Sequence, residues 1–345
     1  MHQVKRGIAI LCLLGLFLGL AGCTPQETKI DPRGVVFFNY FDTVSYVYSY
    51  AGDSVERFES RSTEVSSILE EYHKLFDIYH EYSGMNNLCT VNRLAGGEAV
   101  KVDKKLIDFL LYAKEIYTLT QGETNIMLGA VLRLWHDART AGTSLPDPTA
   151  LEEASKHTDI SLLEIDKENS TVRLTDPKAS VDVGALGKGY ATEMAAKHLS
   201  AQGCNGYVLN IGGNIRTIGD KPDGSGWRTG FKDPKDPQNS YSAYTTIRGT
   251  ACVTSGNYER YYTVNNVRYH HIIDKDTLYP ANYVDAVSIL TPDSGLADAL
   301  STALFCMSYE DGLKLVSTMP QVQVIWIFST GEVKTTPNLT VDFEA

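Results

Sequence analysis

The stretch VDVGALGKGYATEMAAKHL, residues 181–199, decides how the rest of the chain is read. A β-branched segment ends at Asp182, and Gly184, Gly187 and Gly189 then lead into an alanine-rich helix. Glycine permits a tight turn and the close approach of another backbone. Lys188 stands at the mouth of the helix, where backbone N–H groups and a lysine together suit an anion. The spacing is not GxxxxGK[ST], and it is not GxGxxG, so neither a Walker loop nor a dinucleotide-binding βαβ unit is present. The plainer alternative is that the glycines serve turn geometry alone and Lys188 is a solvated charge.

Working outward, strands and helices come in runs. Residues 35–50, VVFFNYFDTVSYVYSY, are aromatic and β-branched and read as one long strand or a broken pair. Helical spacing of Val65, Ile68, Leu69, Tyr72 and Phe76 predicts a helix over 55–79. Further helices fit 103–120, with Asp103 as N-cap, and 127–139. Residues 160–184 look like short strands, with one ending at Asp182. After the helix at 186–201, YVLNIGG, GWRTGFKDP, YSAYTTIRG, TACVTSG, VDAVSIL and QVQVIWIF read as strands, with helices at 294–307 and 309–318. TSGNYE, from 254, reads as a turn between strands. Strand runs with helices grouped between them predict an α+β fold with mixed or antiparallel sheets and packed helices.

The N-terminus has a different character. Lys5 and Arg6 precede an apolar run from Gly7 to Leu20 that is short for a permanent span. LAGC, 20–23, resembles a lipobox, so 1–22 read as a lipoprotein signal peptide and Cys23 as the acylated residue. The alternative is an ordinary secretory signal with a coincidental cysteine. Residues 23–33 read as a lipid-anchored tether and 34–345 as the folded part, extracytoplasmic and held to the cell membrane through lipid. The formal charge is −11, and it becomes two units more negative without Lys5 and Arg6. No basic tract offers itself to phosphates of nucleic acid. Cys89, Cys204, Cys252 and Cys306 show no metal-ligand spacing; one or two disulfides and four free thiols both fit.

Two polar features interrupt apolar segments. In GLADALSTAL, 295–304, Asp298 and Thr302 stand four residues apart and share a helix face. They read either as a satisfied pair near a helix N-terminus or as oxygen ligands for a hard cation such as Mg²⁺. In RYHHIID, 268–274, two histidines precede an acid; on a strand one faces in and the other out.

Taken together, these segments resemble the ApbE-type FAD:protein FMN transferases. DVGALGKGYA (182–191) is similar to that family's D-[LV]-G-[GA]-x-[AG]-K-G-Y-A. YVLNIGGNIRTIG (207–219) resembles its L-[VI]-N-x-G-G stretch. TSGNYER with RYHHIID (254–274) resembles TSG-[DN]-Y and R-Y-S-H-I-I-D, and LADALSTAL (296–304) resembles A-D-A-x-x-T-A-L. FDT (41–43), LFDIYHEYS (75–83) and NIMLGAVLRLWHDAR (125–139) fit less tightly. The likeness covers nearly all of 35–330.

The resemblance implies an ApbE-like fold and a Mg²⁺-dependent enzyme. With FAD as substrate, it transfers FMN to a threonine, sometimes serine, hydroxyl of an acceptor flavoprotein and releases AMP. Family metal ligands fall on Asp298, Thr302 and the backbone carbonyl of Ala185. Flavin-site positions fall on Phe41, Tyr79, Glu123, Thr124, Asn125, Asp182, Lys188 and Ile273. His271 is the candidate proton acceptor, with Asp274 as alternative or partner. The chain departs from the family in four places. His270 replaces the usual serine, IIDKDTLYP replaces IIDP-x-TG-x-P, MLGAVLRLW replaces a TVGP-like start, and Asn125 stands where an aspartate is common. Rival readings are an FAD pyrophosphatase, in which water takes the FMN with the same metal and base; a flavin- or solute-binding lipoprotein, which fits the lipid anchor and acidic charge but has no reason to keep the Asp298–Thr302 pair; and a catalytically dead scaffold, against which the intact motifs argue. No acceptor threonine of the chain's own stands out, so action in trans on a membrane or surface redox protein is expected.

Overall fold

The computed structural model describes residues 32–343, so the readings of 1–22 and of Cys23 lie outside the described residues. Arg33, counted with the tether, already opens the first strand. Strands β1 (Arg33–Tyr40) and β2 (Thr43–Ser49) settle the first ambiguity in favour of a hairpin. Phe41 and Asp42 both have φ above +50° in its two-residue turn. Such a turn matches the twist of paired strands but is usually signalled by glycine or asparagine.

A long excursion follows: α1 (Val55–Phe76), α2 (Leu88–Arg93), β3 (Val100–Lys101), α3 (Lys104–Leu119), α4 (Gly129–Ala141), α5 (Pro148–Ser155), β4 (Leu163–Asp166), β5 (Thr171–Leu174) and α6 (Gly187–Ala201). Then come β6 (Tyr207–Ile211), β7 (Asn214–Ile218), β8 (Trp227–Lys232), β9 (Tyr241–Ile247), β10 (Ala251–Gly256), β11 (Tyr261–Val264), β12 (Val267–His270) and β13 (Ala286–Thr291). The last elements are α7 (Ser294–Phe305), α8 (Tyr309–Val316), β14 (Gln323–Ile327) and β15 (Val333–Thr335).

Eight strands form the main sheet in the order β1-β2-β6-β7-β10-β13-β14-β15, which is chain order. Every neighbouring pair in it is antiparallel. The sheet is a meander from which helices and small hairpins leave and return, so the fold is α+β with antiparallel sheets and packed helices. Alternation along the strands sends one face inward. On β2, Ser45, Val47 and Ser49 are buried while Val44 and Tyr48 are exposed. Helices α1, α6 and α7 pack on that inner face. The β8–β9 hairpin covers the other face, with Trp227, Phe231 and Ile247 packed around Cys252, Leu290 and Ile325.

Several boundaries moved from the sequence reading. Val181–Val183 form no strand; the Asp182 N–H donates to the Ile126 carbonyl (2.8 Å), and only Leu128 and Ser180 make an isolated bridge. Helix α4 starts at Gly129 rather than 127, because the Asn125 side chain accepts from the Met127 N–H (2.9 Å) and holds a turn there. TSG belongs to β10, and the turn follows it. Asp103 caps α3 as expected, accepting from the Lys105 N–H (2.7 Å). The four described cysteines are unpaired thiols. Among the described residues no helix is long and apolar enough to cross a membrane.

Candidate functional site

Helices α6 and α7 run antiparallel and unusually close. Their contact is possible because Gly189 has no side chain: a Cβ there would lie 2.3 Å from the Ser294 carbonyl oxygen and 2.4 Å from the Asp298 Cβ. The bare backbone lets the Gly189 N–H donate to Asp298 Oδ2 at 2.8 Å. Asp298 therefore lies in the second turn of α7, 5 % exposed and turned onto α6, rather than in the first turn facing solvent. One turn further along, the Thr302 hydroxyl reaches the Ala185 carbonyl oxygen at 3.4 Å. A carboxylate, a hydroxyl and a carbonyl thus meet beside the glycine turn.

The electrostatics of this notch are unbalanced. Burial raises the Asp298 pKa; the Lys188 charge, the Gly189 N–H and Asn214 oppose that rise. Lys188 Nζ lies 3.8 Å from Asp298 Oδ2 and 3.4 Å from the Gly184 carbonyl. Among the described residues no group of three or more His, Cys, Asp or Glu side chains is placed to hold a metal. A soft or borderline metal is therefore poorly served. The all-oxygen set, with one under-compensated buried carboxylate, does fit a hard cation that completes its coordination with water or ligand phosphates.

His271 follows β12 and is coupled electrostatically to Lys188. Its Nδ1 lies 3.2 Å from the Arg260 carbonyl oxygen. A carbonyl only accepts, so this bond puts the proton on Nδ1 and leaves Nε2 with a lone pair. Burial, with the positive charges of Arg260, Lys188, His270 and Arg139, pushes the His271 pKa down to about 3. His270, by contrast, is buried and engaged at both nitrogens: Nε2 at the Ala281 carbonyl (2.8 Å) and Nδ1 at the Ile272 N–H (3.2 Å). It braces the fold and has no free nitrogen to share a proton-accepting role. Asp274 is also committed elsewhere. Its Oδ1 accepts from the Asp276 and Thr277 N–H groups and its Oδ2 from the Tyr283 hydroxyl, so it holds its own turn and makes no hydrogen bond to His271.

The remaining candidates divide into two kinds. Tyr79 is 53 % exposed, lies tilted against His136 with ring centroids 5.3 Å apart, and is raised in pKa by burial and by Asp182. Asp182 is raised by burial against the Gly184 N–H and the charges of His136, Lys188 and Arg139. Asp182 is thus coupled electrostatically to Lys188, His136 and Arg139, and Tyr79 to Asp182. Phe41 sits at the β1–β2 turn with its ring 5.6 Å from His73. Glu123 pairs with Lys275 (3.2 Å), the residue that stands where the family pattern has proline. Thr124 and Asn125 spend their side chains on structure: the Thr124 hydroxyl donates to the Ala299 carbonyl (2.8 Å), tying this turn to α7, and Asn125 donates to the Thr158 carbonyl (2.9 Å). Ile273 is buried against Trp135 and Leu128.

Sequence reasoning missed His136, Arg139 and Arg260. Arg139 Nη2 lies 3.3 Å from His136 Nδ1, and no carboxylate pairs directly with Arg139 or Arg260 among the described residues. Burial and Arg260 depress the Arg139 pKa. Two basic residues three apart on α4 were the available signal, since that spacing puts both on one helix face.

Fold and pocket together define a class: an antiparallel α+β scaffold with an oxygen-lined notch beside unneutralised cations, equipment suited to a phosphate-bearing ligand. A family model described as the ApbE family matches residues 43–326, and the chain belongs to that family. A Treponema pallidum protein named FAD:protein FMN transferase is 32 % identical over 291 residues, covering 79 % of this chain and 80 % of the relative. One of the same name from Vibrio cholerae is 27 % identical over 323 residues, covering 93 % and 94 %. Among solved structures, the ApbE protein of Thermotoga maritima superposes with a TM-score of 0.79 at 28 % identity, covering 89 % of this chain and 97 % of its own. The flavin transferase ApbE of Vibrio cholerae, solved as a histidine-to-glycine mutant, gives 0.74 at 26 %, with coverage of 89 % and 97 %.

Proposed function

We propose that this protein is an FAD:protein FMN transferase, moving FMN from FAD to a hydroxyl of a target flavoprotein and releasing AMP. The relatives' shared name supports the transfer. The carrying observation for its chemistry is the convergence of Ala185 O, Thr302 and buried Asp298 beside Lys188, to which a histidine with a free Nε2 is electrostatically coupled. On this reading those three oxygens hold Mg²⁺, which supplies charge neutralisation at the diphosphate. An acceptor threonine or serine Oγ attacks the phosphorus of the FMN half. The new bond is an Oγ–P ester, and the bond that breaks joins that phosphorus to the bridging oxygen, which leaves on AMP. His271 Nε2 takes the hydroxyl proton, a role worth roughly 10²–10⁴ in rate. On this reading Lys188, Arg139 and Arg260 face the phosphates, and the two arginines, which have no carboxylate partner among the described residues, carry the charge a polyanion would answer. Tyr79 and Phe41 offer aromatic walls for the flavin.

The lipobox ending at Cys23 and the acidic balance of the chain support a membrane-anchored lipoprotein working outside the cytoplasm, with the acceptor a membrane or surface redox protein. The test is incubation of the full chain with FAD, Mg²⁺ and a threonine-bearing flavoprotein domain. Covalent flavin fluorescence on that domain with equimolar AMP is the expected result, and a chelator should suppress it. Free FMN and AMP with an unlabelled acceptor would identify a hydrolase. Flavin binding with no AMP would leave only a binding protein.

A further inference from the structure

The contact of α7 with α6 and the turn that leads into it repeats every four residues on both sides. Ala185 faces Thr302, Gly189 faces Asp298, and Glu193 faces Ser294. The first two rungs belong to the notch. The third lies about 12 Å from the first, at 1.5 Å per helical residue, and the chemistry above does not use it.

Glu193 is an unexpected residue for that place. Its side chain is 4 % exposed. Oε2 accepts from the Ser294 N–H (2.9 Å) and from Arg216 Nε on β7 (2.9 Å). Arg216 is itself 13 % exposed and donates to the Thr217 carbonyl (2.6 Å). Ser294 opens α7, whose first N–H groups have no partner within the helix. The helix already has a cap of its own, since Asp293 accepts from the Leu296 N–H (3.0 Å). Glu193 therefore adds a bond across elements: it fixes the start of α7 to α6 and, through Arg216, to the sheet. A buried ion pair is weak evidence for stability, because an apolar replacement of similar volume often serves as well or better. Its directional bonds do specify register.

We infer that Glu193 and Arg216 form a positioning clasp. It sets the register and tilt of α7 on α6, and thereby the placement of Asp298 and Thr302 against the Ala185 carbonyl. The inference rests on the metal reading proposed above. Neither side chain touches substrate; each acts through α7.

The test uses the full chain with two readouts, calorimetric Mg²⁺ binding and steady-state FAD turnover, alongside thermal unfolding. Glu193→Ala should weaken Mg²⁺ binding roughly 10–100-fold, the range seen when groups that orient metal ligands are removed. It should lower kcat more than it raises KM for FAD. Glu193→Gln, which keeps the acceptor for Ser294, should recover part of both. The deciding variant is Glu193→Leu with Arg216→Met, which removes both charges and refills the volume. A positioning clasp predicts recovered thermal stability with Mg²⁺ affinity still weakened; recovery of both properties overturns the proposal and leaves a purely structural pair. Wild-type affinity in folded Glu193→Ala overturns it too. Wild-type protein that binds no Mg²⁺ would instead remove the metal reading and the clasp with it.

Discussion

Replacing Gly189 by alanine tests the close approach of α6 and α7, and propensity and packing predict opposite signs for it. Gly189 lies within α6, where alanine is favoured over glycine by about 1 kcal/mol. If packing were neutral the variant would be more stable than wild type. The added Cβ, however, would stand 2.3 Å from the Ser294 oxygen and 2.4 Å from the Asp298 Cβ, and ordinary contact begins at 3.4 Å. The helices must part by about 1 Å. Overpacking of this kind costs about 1–3 kcal/mol. The same movement stretches the charge-assisted bond from the Gly189 N–H to Asp298, worth about 1.5–3 kcal/mol. A net loss of roughly 2–4 kcal/mol lowers Tm by about 3–6 °C in a chain of this size. Because Thr302 and Ala185 lie on the two separated elements, turnover should fall by about 10², the expected effect of a misplacement near 1 Å. Differential scanning calorimetry and AMP release measure the two. A variant with unchanged or raised Tm and unimpaired turnover would show that the helices are free to separate and that the notch does not depend on their approach.

Asp298→Ala should reduce AMP release by more than 10³ relative to wild type while far-UV circular dichroism stays native, since it removes the one carboxylate in the notch. His271 carries a pKa depressed to about 3 by burial and its cationic neighbours. The acid limb of kcat/KM, which reports free enzyme, should therefore lie below that of kcat, because a bound diphosphate raises the histidine's pKa; coincident limbs would argue against its facing the phosphates. The same depression has a stability consequence. The unfolded histidine binds its proton near pH 6.5, so His271's contribution is whole above that value and is lost as pH falls towards 3, measurable by denaturant titration. Asp53 holds Ser49, Tyr207 and Arg61 together; against burial, which raises it, bonds from Tyr207, Ser49 and Arg61 keep its pKa low. Asp53→Ala should cost about 3–5 kcal/mol by leaving Arg61 uncompensated, with kcat of the folded enzyme unchanged.

The helices and the larger strands were legible because their apolar periodicity is local. The register of Ala185 on Thr302 was not, since it depends on two helices meeting at a glycine more than a hundred positions from its partner; only the likeness to a known family placed the three ligand positions together. The strand expected at 181–183 failed for a related reason: β-branched residues signal extended backbone, but pairing needs a neighbour, and there the neighbour is a single carbonyl at Ile126. Asp274 looked like an acid beside two histidines, and chain proximity misled, because its oxygens close the turn that follows. The arginines at 139 and 260 carry no motif. Only in three dimensions does their lack of a carboxylate partner become visible.

The chain-order sheet also bears on how the protein is made. An N-terminus-first chain completes β1 and β2 early, yet the next strand of that sheet, β6, begins only at Tyr207. Until then the hairpin carries an open ladder edge, a natural target for chaperones or for mispairing. Asp298 and Thr302 arrive later still. A nascent or truncated chain ending before α7 would hold the glycine turn and Lys188 but would lack two of the three oxygens proposed to hold the cation, so on that reading the site is completed only when α7 is made.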